Sequence, residues 1–412
     1  RDLLPPYGKS VCFPLPAATG TQLSLGNHNF TELVRLKYPK PGTFSGSSFI
    51  MVNFRPPDSF NDLAFYSAHF MDPMLWKPFV HHVAVTHGYE YQHISPGEPG
   101  TFPTFIAGPD RQPGQPSQET IVVKFFGPLF DGLACFDVEQ AMEQFIISQN
   151  MSIRSPAILA RGHLSKEWSY LVFEHIPGVR IGQVRQELGK DALENVARHL
   201  GQYMHELHTR TATYQTIIPS LTNKISWDEY SGFLATQREN CVTNHQQWHD
   251  LPPHLIDQLP GFIPSIDQLI DLSSPPHLIH ADLTADHLLG NLIPLSLNST
   301  AKDREGDPQM HGDKDHPEKG WESLAIIDWG DCRVGNILYE LAAVHTDLFQ
   351  VDKHLLRLFM EVYGLPTFYQ ADFACKALST VLLHQFPMPS LLYAPYRDTP
   401  SLYDVAEGIF GI

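Results

Sequence analysis

Two carboxylates carry the most chemical information in this 412-residue chain. Asp282 lies in His280-Ala281-Asp282-Leu283-Thr284-Ala285-Asp286-His287-Leu288-Leu289, a polar loop running into apolar sequence. Asp328 ends the apolar, strand-like run Leu324-Ala325-Ile326-Ile327 and precedes Trp329-Gly330-Asp331. An Asp on a loop, a metal-ligating residue type five positions later and a second Asp closing a strand are the parts that phosphoryl transfer needs. One carboxylate positions a hydroxyl, while the other ligands hold metal ions against the phosphates. On this reading Asp282 is the base, and Asp328 and His287 are metal ligands. His280 anchors the loop by hydrogen bonds rather than moving protons. Asp328 is a hard oxygen donor suited to Mg²⁺. Imidazole is a poorer partner for that ion, so His287 leaves Mn²⁺ open as an alternative.

These residues resemble the aminoglycoside phosphotransferase family, small-molecule kinases that share the protein-kinase fold. The family's loop reads H-G-D-x-x-x-x-N before apolar residues, and its metal strand reads apolar-I-D-W/F-x-D. The chain keeps His280, Asp282, Asp328 and Trp329 and places His287 where Asn is usual, as the loop of macrolide phosphotransferases does. Gly335-Asn336-Ile337-Leu338-Tyr339-Glu340-Leu341-Ala342 is similar to the family's G-D-P-x-x-D-L-A, with both acids altered. The resemblance covers roughly residues 80 to 390, and the two motifs in order are specific where either alone is weak. It implies a two-lobed, protein-kinase-like α+β fold with an antiparallel β N-lobe and a mainly helical C-lobe. It also implies ATP or GTP as co-substrate and a small hydroxyl acceptor.

The elements that must position this chemistry follow a kinase-like order. Residues 1–75 are rich in Pro and Gly and read as an irregular extension; 76–175 read as the nucleotide-binding N-lobe and 176–412 as the C-lobe. Phe79 to Val85 is β-branched and reads as a helix end or a first strand. A Gly/Pro loop from Ser95 to Thr101 is either a phosphate-covering loop or an ordinary hairpin turn. Thr120 to Phe126 reads as a strand and Phe136 to Gln149 as a helix. The resemblance makes Lys124 the lysine that holds the nucleotide phosphates, paired with Glu139 on that helix. Glu143, one turn later on the same face, competes for that pairing. Tyr170 to Gly178 looks like the family's fifth strand and hinge, with Phe173, Glu174 and Ile176 against the nucleotide. Val184 to His208 is amphipathic and helical. His208 reads as a structural hydrogen-bonding residue. The polar stretch 292–323 reads as an inserted loop between catalytic loop and metal strand.

A formal charge of -17 argues against a nucleic-acid partner, whose phosphates need a basic surface, and suits a cationic acceptor. The five scattered cysteines lack metal-ligand spacing and fit free thiols in a reducing compartment. No apolar run approaches the roughly 18 to 20 residues of a membrane span, and prolines at 5, 6, 14 and 16 break any leader-like stretch. A cytoplasmic location is the resulting expectation. The start at Arg1 rather than Met is what a fragment would show. Two alternatives remain at this level. A pseudokinase-like binding module is supported by the altered His287, Asn336 and Glu340. A protein kinase is weakened because neither D-F-G nor A-P-E follows Asp328.

Overall fold

The computed structural model describes residues 56–97, 100–109, 120–210, 227–272, 276–294, 319–364, 370–387 and 390–411. Residues 1–55 of the expected extension, 98–99 of the Gly/Pro loop and 295–318 of the expected inserted loop lie outside the described residues.

Five antiparallel strands form the small lobe: β1 (His93–Pro96), β2 (Thr104–Gly108), β3 (Ile121–Phe126), β4 (Ile158–His163) and β5 (Ser169–Glu174). Their order across the sheet is β1-β2-β3-β5-β4. The central strand, Ile-Val-Val-Lys-Phe-Phe, is built from β-branched and aromatic residues that suit a pleated, buried surface. Alternation sends Val123 and Phe125 to one face and Val122, Lys124 and Phe126 to the other. The first face meets an aromatic layer of Phe60, Tyr66, Trp76, Phe105 and Trp168.

That layer revises the expectation of an irregular chain up to residue 75. Leu63–His69 (α1) and Pro73–His87 (α2) are helices that cover the outer face of the sheet. The side chains of Asp62 and Asp72 cap them, accepting the backbone N–H of Phe65 and Met74. Pro73 occupies the first helical turn, where its missing N–H costs nothing, and Gly88 closes α2 in the left-handed region at φ 77°. Phe79 to Val85 is therefore helical, not strand. Its apolar residues at helical spacing bury Trp76, Phe79, Val80 and Val83.

Helix α3 (Gly132–Gln149) packs on the inner face of the sheet. A Cβ on Gly132 would stand 2.3 Å from the Gly127 carbonyl oxygen, so only glycine lets the helix start so close to the end of β3.

In the large lobe the longer helices are α4 (Lys190–Thr209), α5 (Trp227–Trp248), α6 (Ile337–Ala343), α7 (Lys353–Tyr363), α8 (Phe373–Leu382) and α9 (Leu402–Phe410). Helix α4 starts later than the periodicity predicts, because Arg185–Glu187 is a separate 3-10 turn that ends in extended Leu188. It packs against α7 at Gly201, where a Cβ would meet the Phe359 carbonyl oxygen at 2.5 Å. Four short strands carry the rest of the large lobe's sheet structure before β10: β6 (Val179–Arg180), β7 (His277–Ile279), β8 (Leu288–Pro294) and β9 (Lys319–Ile326). Strands β6, β8 and β9 form one antiparallel sheet, and β10 (Arg333–Gly335) pairs with β7.

Candidate functional site

The β8–β9 register joins the two sequence motifs. Leu288 pairs with Ile326, and the Ile327 N–H donates to the His287 carbonyl at 3.0 Å. The end of the Asp282 loop and the end of the strand before Asp328 thus belong to one hairpin. His280 adds a second tie. Its Nε2 lies 3.0 Å from the Ile327 carbonyl, and its Nδ1 accepts the Asp282 N–H at 3.3 Å. One ring nitrogen donates and the other accepts, which requires the neutral imidazole. Burial, reinforced by His287, pushes its pKa down to about 3 and keeps it neutral.

A buried carboxylate and a half-buried one hold the loop backbone from below. Glu340 Oε2 accepts the Ala281 N–H at 3.0 Å, and Asp347 Oδ1 accepts the Ala285 N–H at 2.6 Å. Ala281 is held at φ 68°, a left-handed position that suits the family's glycine better than an alanine. Asp328 is also left-handed, at φ 67°, which turns its carboxylate away from the strand direction. Burial lifts the Glu340 carboxyl to about 7 against the opposing pull of the Ala281 and His280 amides. A folded-state pKa above the unfolded value means that folding takes up a proton. The stabilisation is complete below the ordinary Glu range and is lost as pH rises through about 7. Glu340→Gln, which cannot titrate, is expected to flatten the stability–pH curve between about pH 4.5 and 7, removing on the order of 3 kcal/mol of variation. Urea titrations across that range check it.

Above the hairpin, Lys124 Nζ lies 2.7 Å from Glu139 Oε2 and 2.7 Å from Asp328 Oδ1. Glu139, not Glu143, meets the lysine. Glu143 is buried one turn further along α3. The ammonium also stands 5.3 Å from the Phe126 ring centroid and 5.7 Å from that of Phe102, at the end of the Gly/Pro loop. Burial opposes the charge on Lys124, but Asp328 and Glu139 overcome it and raise its pKa. Burial likewise works against ionised Asp328, yet Lys124 and His287 hold it well below the usual carboxylate range.

Asp282 faces the same cleft, with 26% of its side chain exposed. Burial and the carboxylates of Asp331, Asp328, Asp347 and Glu340 push it well above the ordinary Asp range. His287 sits between the two aspartates. Its Nδ1 lies 2.5 Å from the Asp282 carbonyl, and its Nε2 lies 3.8 Å from Asp328 Oδ2. In the neutral ring with Nδ1 donating, Nε2 would turn a lone pair towards Asp328, and imidazole and carboxylate would offer a nitrogen and an oxygen to a cation. Two protein donors suit a Mg²⁺ ion that keeps waters and takes phosphate oxygens, and the nitrogen is better tolerated by Mn²⁺. Among the described residues no group of three or more His, Cys, Asp or Glu is arranged for a metal.

Phe173 and Glu174 close β5, an inner strand between β3 and β4, and Ile176 follows it. Phe173 pairs with Val122 in the sheet and is buried. The Glu174 carboxylate accepts the Ala157 N–H at 2.8 Å and Arg154 at 2.9 Å, which commits the side chain to bracing the hinge. Ile176 is buried and its carbonyl accepts the Gly178 N–H at 2.8 Å. His208 lies apart, its Nδ1 2.7 Å from the Tyr363 hydroxyl. Asp347 and Phe102 carried no sequence signal of a role, since neither belongs to a motif and each reaches the site only through folding.

No family model matches the chain. A lysine-specific demethylase of Arabidopsis thaliana, JMJ21, is 23% identical over 234 residues, which cover 51% of this chain. The chain spans 23% of the length of that relative. Among solved structures it is similar to the GDP complex of wild-type aminoglycoside 2'-phosphotransferase-IIIa, with 17% identity and a TM-score of 0.53 over 81% of this chain and 95% of that one. A GDP and kanamycin complex of APH(2")-IIia gives 18% identity and a TM-score of 0.53, covering 80% and 96%. The fold of this chain is the two-lobed, protein-kinase-like α+β fold of the aminoglycoside phosphotransferases.

Proposed function

We propose that the chain is a small-molecule kinase that transfers the γ-phosphoryl group of ATP or GTP to a hydroxyl of a small acceptor. The observation that carries this reading is the lysine bridge: Lys124 joins Glu139 of α3 to Asp328 of the metal strand, at 2.7 Å on each side. A flexible ammonium needs fixed anions to hold it where phosphate oxygens arrive. GDP in both fold neighbours, and kanamycin in one, support a nucleotide and a polar acceptor in the same cleft.

Phosphoryl transfer asks the protein for position and charge more than for covalent chemistry. Asp282 accepts a hydrogen bond from the acceptor hydroxyl and aligns it with the γ-phosphate. Its raised pKa makes it a better base than an ordinary carboxylate. Lys124 binds phosphate oxygens, and Glu139 keeps it aimed. The hinge holds the base through backbone groups around Glu174 and Ile176. Asp328 and His287 are the residues that would hold Mg²⁺ or Mn²⁺, which when bound neutralises charge on the phosphates. The net charge of -17 favours an acceptor that carries an ammonium group, by long-range attraction.

A binding module without turnover is the second reading, favoured by the histidine at the metal position. Incubating the chain with ATP or GTP, each metal ion and a panel of amino alcohols, sugars and aminoglycosides separates the two. Nucleotide binding with no phosphorylated product defeats the kinase reading. Glu139→Gln is expected to lower kcat/KM by about 10- to 100-fold, the worth of one charge-assisted bond. Lys124→Met is expected to cost more and to raise the nucleotide Kd. Steady-state kinetics with calorimetric nucleotide titration measures both. A Lys124→Met protein that binds nucleotide as the parent does removes the lysine from the site.

A further inference from the structure

A second polar constellation lies beside Asp282, and neither phosphate nor metal binding uses it. Asp331 follows the metal strand, Arg333 opens β10, and Gln385 sits in the chain after α8. Gln385 joins the other two. Its Nε2–H donates to Asp331 Oδ1 at 3.1 Å, and its Oε1 accepts from Arg333 Nη2 at 3.3 Å. The Arg333 guanidinium rests over the Phe233 ring of α5, 4.1 Å from the centroid. Two contacts place Gln385 next to the catalytic loop. Its N–H meets the Tyr339 hydroxyl at 3.4 Å, and the preceding His384 lies 3.3 Å from the Ala281 carbonyl. Asp331, Arg333, Gln385 and Phe233 are all half-buried.

The chemistry of this wall is specific. Arg333 has five N–H donors. Besides the bond to Gln385, its described hydrogen bonding is one long contact from Nε to the Asp331 carbonyl, at 3.5 Å. Among the described residues no carboxylate stands within ion-pair distance of it. A guanidinium held over an aromatic ring with donors to spare is preorganised for a carboxylate. Asp331 has one oxygen engaged by Gln385 and offers the other to a cation. The bridging amide keeps the two charges apart instead of letting them neutralise each other. A polycation would meet Arg333 with like charge, whereas a simple anion would meet Asp331 and Asp282 the same way. A ligand carrying both charges satisfies the wall.

We infer that the acceptor is a zwitterionic alcohol, a hydroxylated amino acid whose ammonium faces Asp331 and whose carboxylate faces Arg333 while its hydroxyl lies at Asp282. The inference rests on the kinase reading of Asp282 and supplies its substrate class. The acceptor oxygen forms a bond to the γ-phosphorus as the bridging P–O bond to the β-phosphate breaks. The hydroxyl proton goes to Asp282, the nucleoside diphosphate leaves, and the product is an O-phospho amino acid.

The test uses the chain with ATP or GTP, Mg²⁺ or Mn²⁺, and matched acceptors. L-serine, L-homoserine and 5-hydroxy-L-lysine vary the distance between charge and hydroxyl. Ethanolamine and 3-amino-1-propanol remove the carboxylate from the first two, and kanamycin supplies a polycation. Mass spectrometry of the product and KM are read out. At least one amino acid is expected to exceed its carboxylate-free counterpart in kcat/KM by at least about tenfold. Arg333→Gln should erase that advantage through KM for the amino acid while KM for the amine stays put, and Arg333→Lys should restore part of it. Thermal unfolding and nucleotide titration of each variant exclude a folding defect. Preference for the amines or kanamycin, or an Arg333→Gln effect equal on both acceptor types, overturns the inference and leaves the kinase reading standing. Where no acceptor is phosphorylated, the kinase reading fails, and calorimetric titration of the amino acids into nucleotide-bound protein decides the ligand class alone. Saturable binding that Arg333→Gln abolishes supports it, and absence of binding overturns it.

Discussion

Asp282→Asn is expected to lower kcat by about 10²- to 10⁴-fold while leaving nucleotide affinity close to the parent value. Asn matches the shape of Asp but cannot accept the acceptor's proton. The loop should survive the change, because backbone groups of residue 282 hold it. Its N–H donates to His280 Nδ1, and its carbonyl lies 2.5 Å from His287 Nδ1. The carboxylate itself comes no closer to His287 than 3.9 Å. Its charge is moreover costly, being buried among Asp331, Asp328, Asp347 and Glu340. The inactive variant is therefore expected to be at least as stable as the parent, the usual exchange between activity and stability at a site. Single-turnover kinetics and thermal unfolding on one preparation test both halves. Parental turnover in the variant removes Asp282 as the base. A large fall in Tm shows that the carboxylate supports the loop after all.

The metal pair gives the other large effect. Asp328→Ala is expected to abolish turnover with Mg²⁺ and with Mn²⁺, because it removes the charged oxygen donor and one of the two anions that fix Lys124. His287→Asn should retain activity with Mg²⁺, since an amide oxygen replaces the imidazole nitrogen facing Asp328. The parent should favour Mn²⁺ relative to the Asn variant, and the ratio of rates with the two ions should move towards Mg²⁺ on substitution. Rates for the three proteins with each ion measure this. An active Asp328→Ala protein, or a His287→Asn protein dead with both ions, defeats the assignment.

The residues that carry short-range patterns were legible in the sequence. The loop around Asp282 and the strand ending at Asp328 announce themselves by acids beside apolar runs, whereas Lys124 stands out only through the family resemblance. The choice between Glu139 and Glu143 was not legible. Both lie on one helix face, and only the start of α3, set by Gly132 against the Gly127 carbonyl, puts residue 139 opposite the lysine. The helix over residues 63–69 and the start of the next at Pro73 were hidden because proline density outweighed the start signals of Asp62 and Asp72. Only the end of the second, Phe79 to Val85, reads from the sequence as helix or strand. The wall of Phe233, Arg333 and Gln385 was invisible for a different reason. Its members come from α5, β10 and the chain after α8, and no periodicity ties residues so far apart.

The β8–β9 hairpin has a consequence for how the chain can be edited. Its open end is fixed by Pro294 and Lys319, which face each other across the ladder. Chain ends held as neighbours can be joined by a tight turn or by a long excursion, and each doubling of the excursion costs only about 0.6 kcal/mol. The spacing of base and metal strand is set at the other end, by Leu288 against Ile326 and by the bond from Ile327 to His287. The register that joins Asp282 to Asp328 is thus set away from the Pro294–Lys319 end of the ladder. A reporter or a tether placed between Pro294 and Lys319 is therefore expected to leave the Leu288–Ile326 pairing in register.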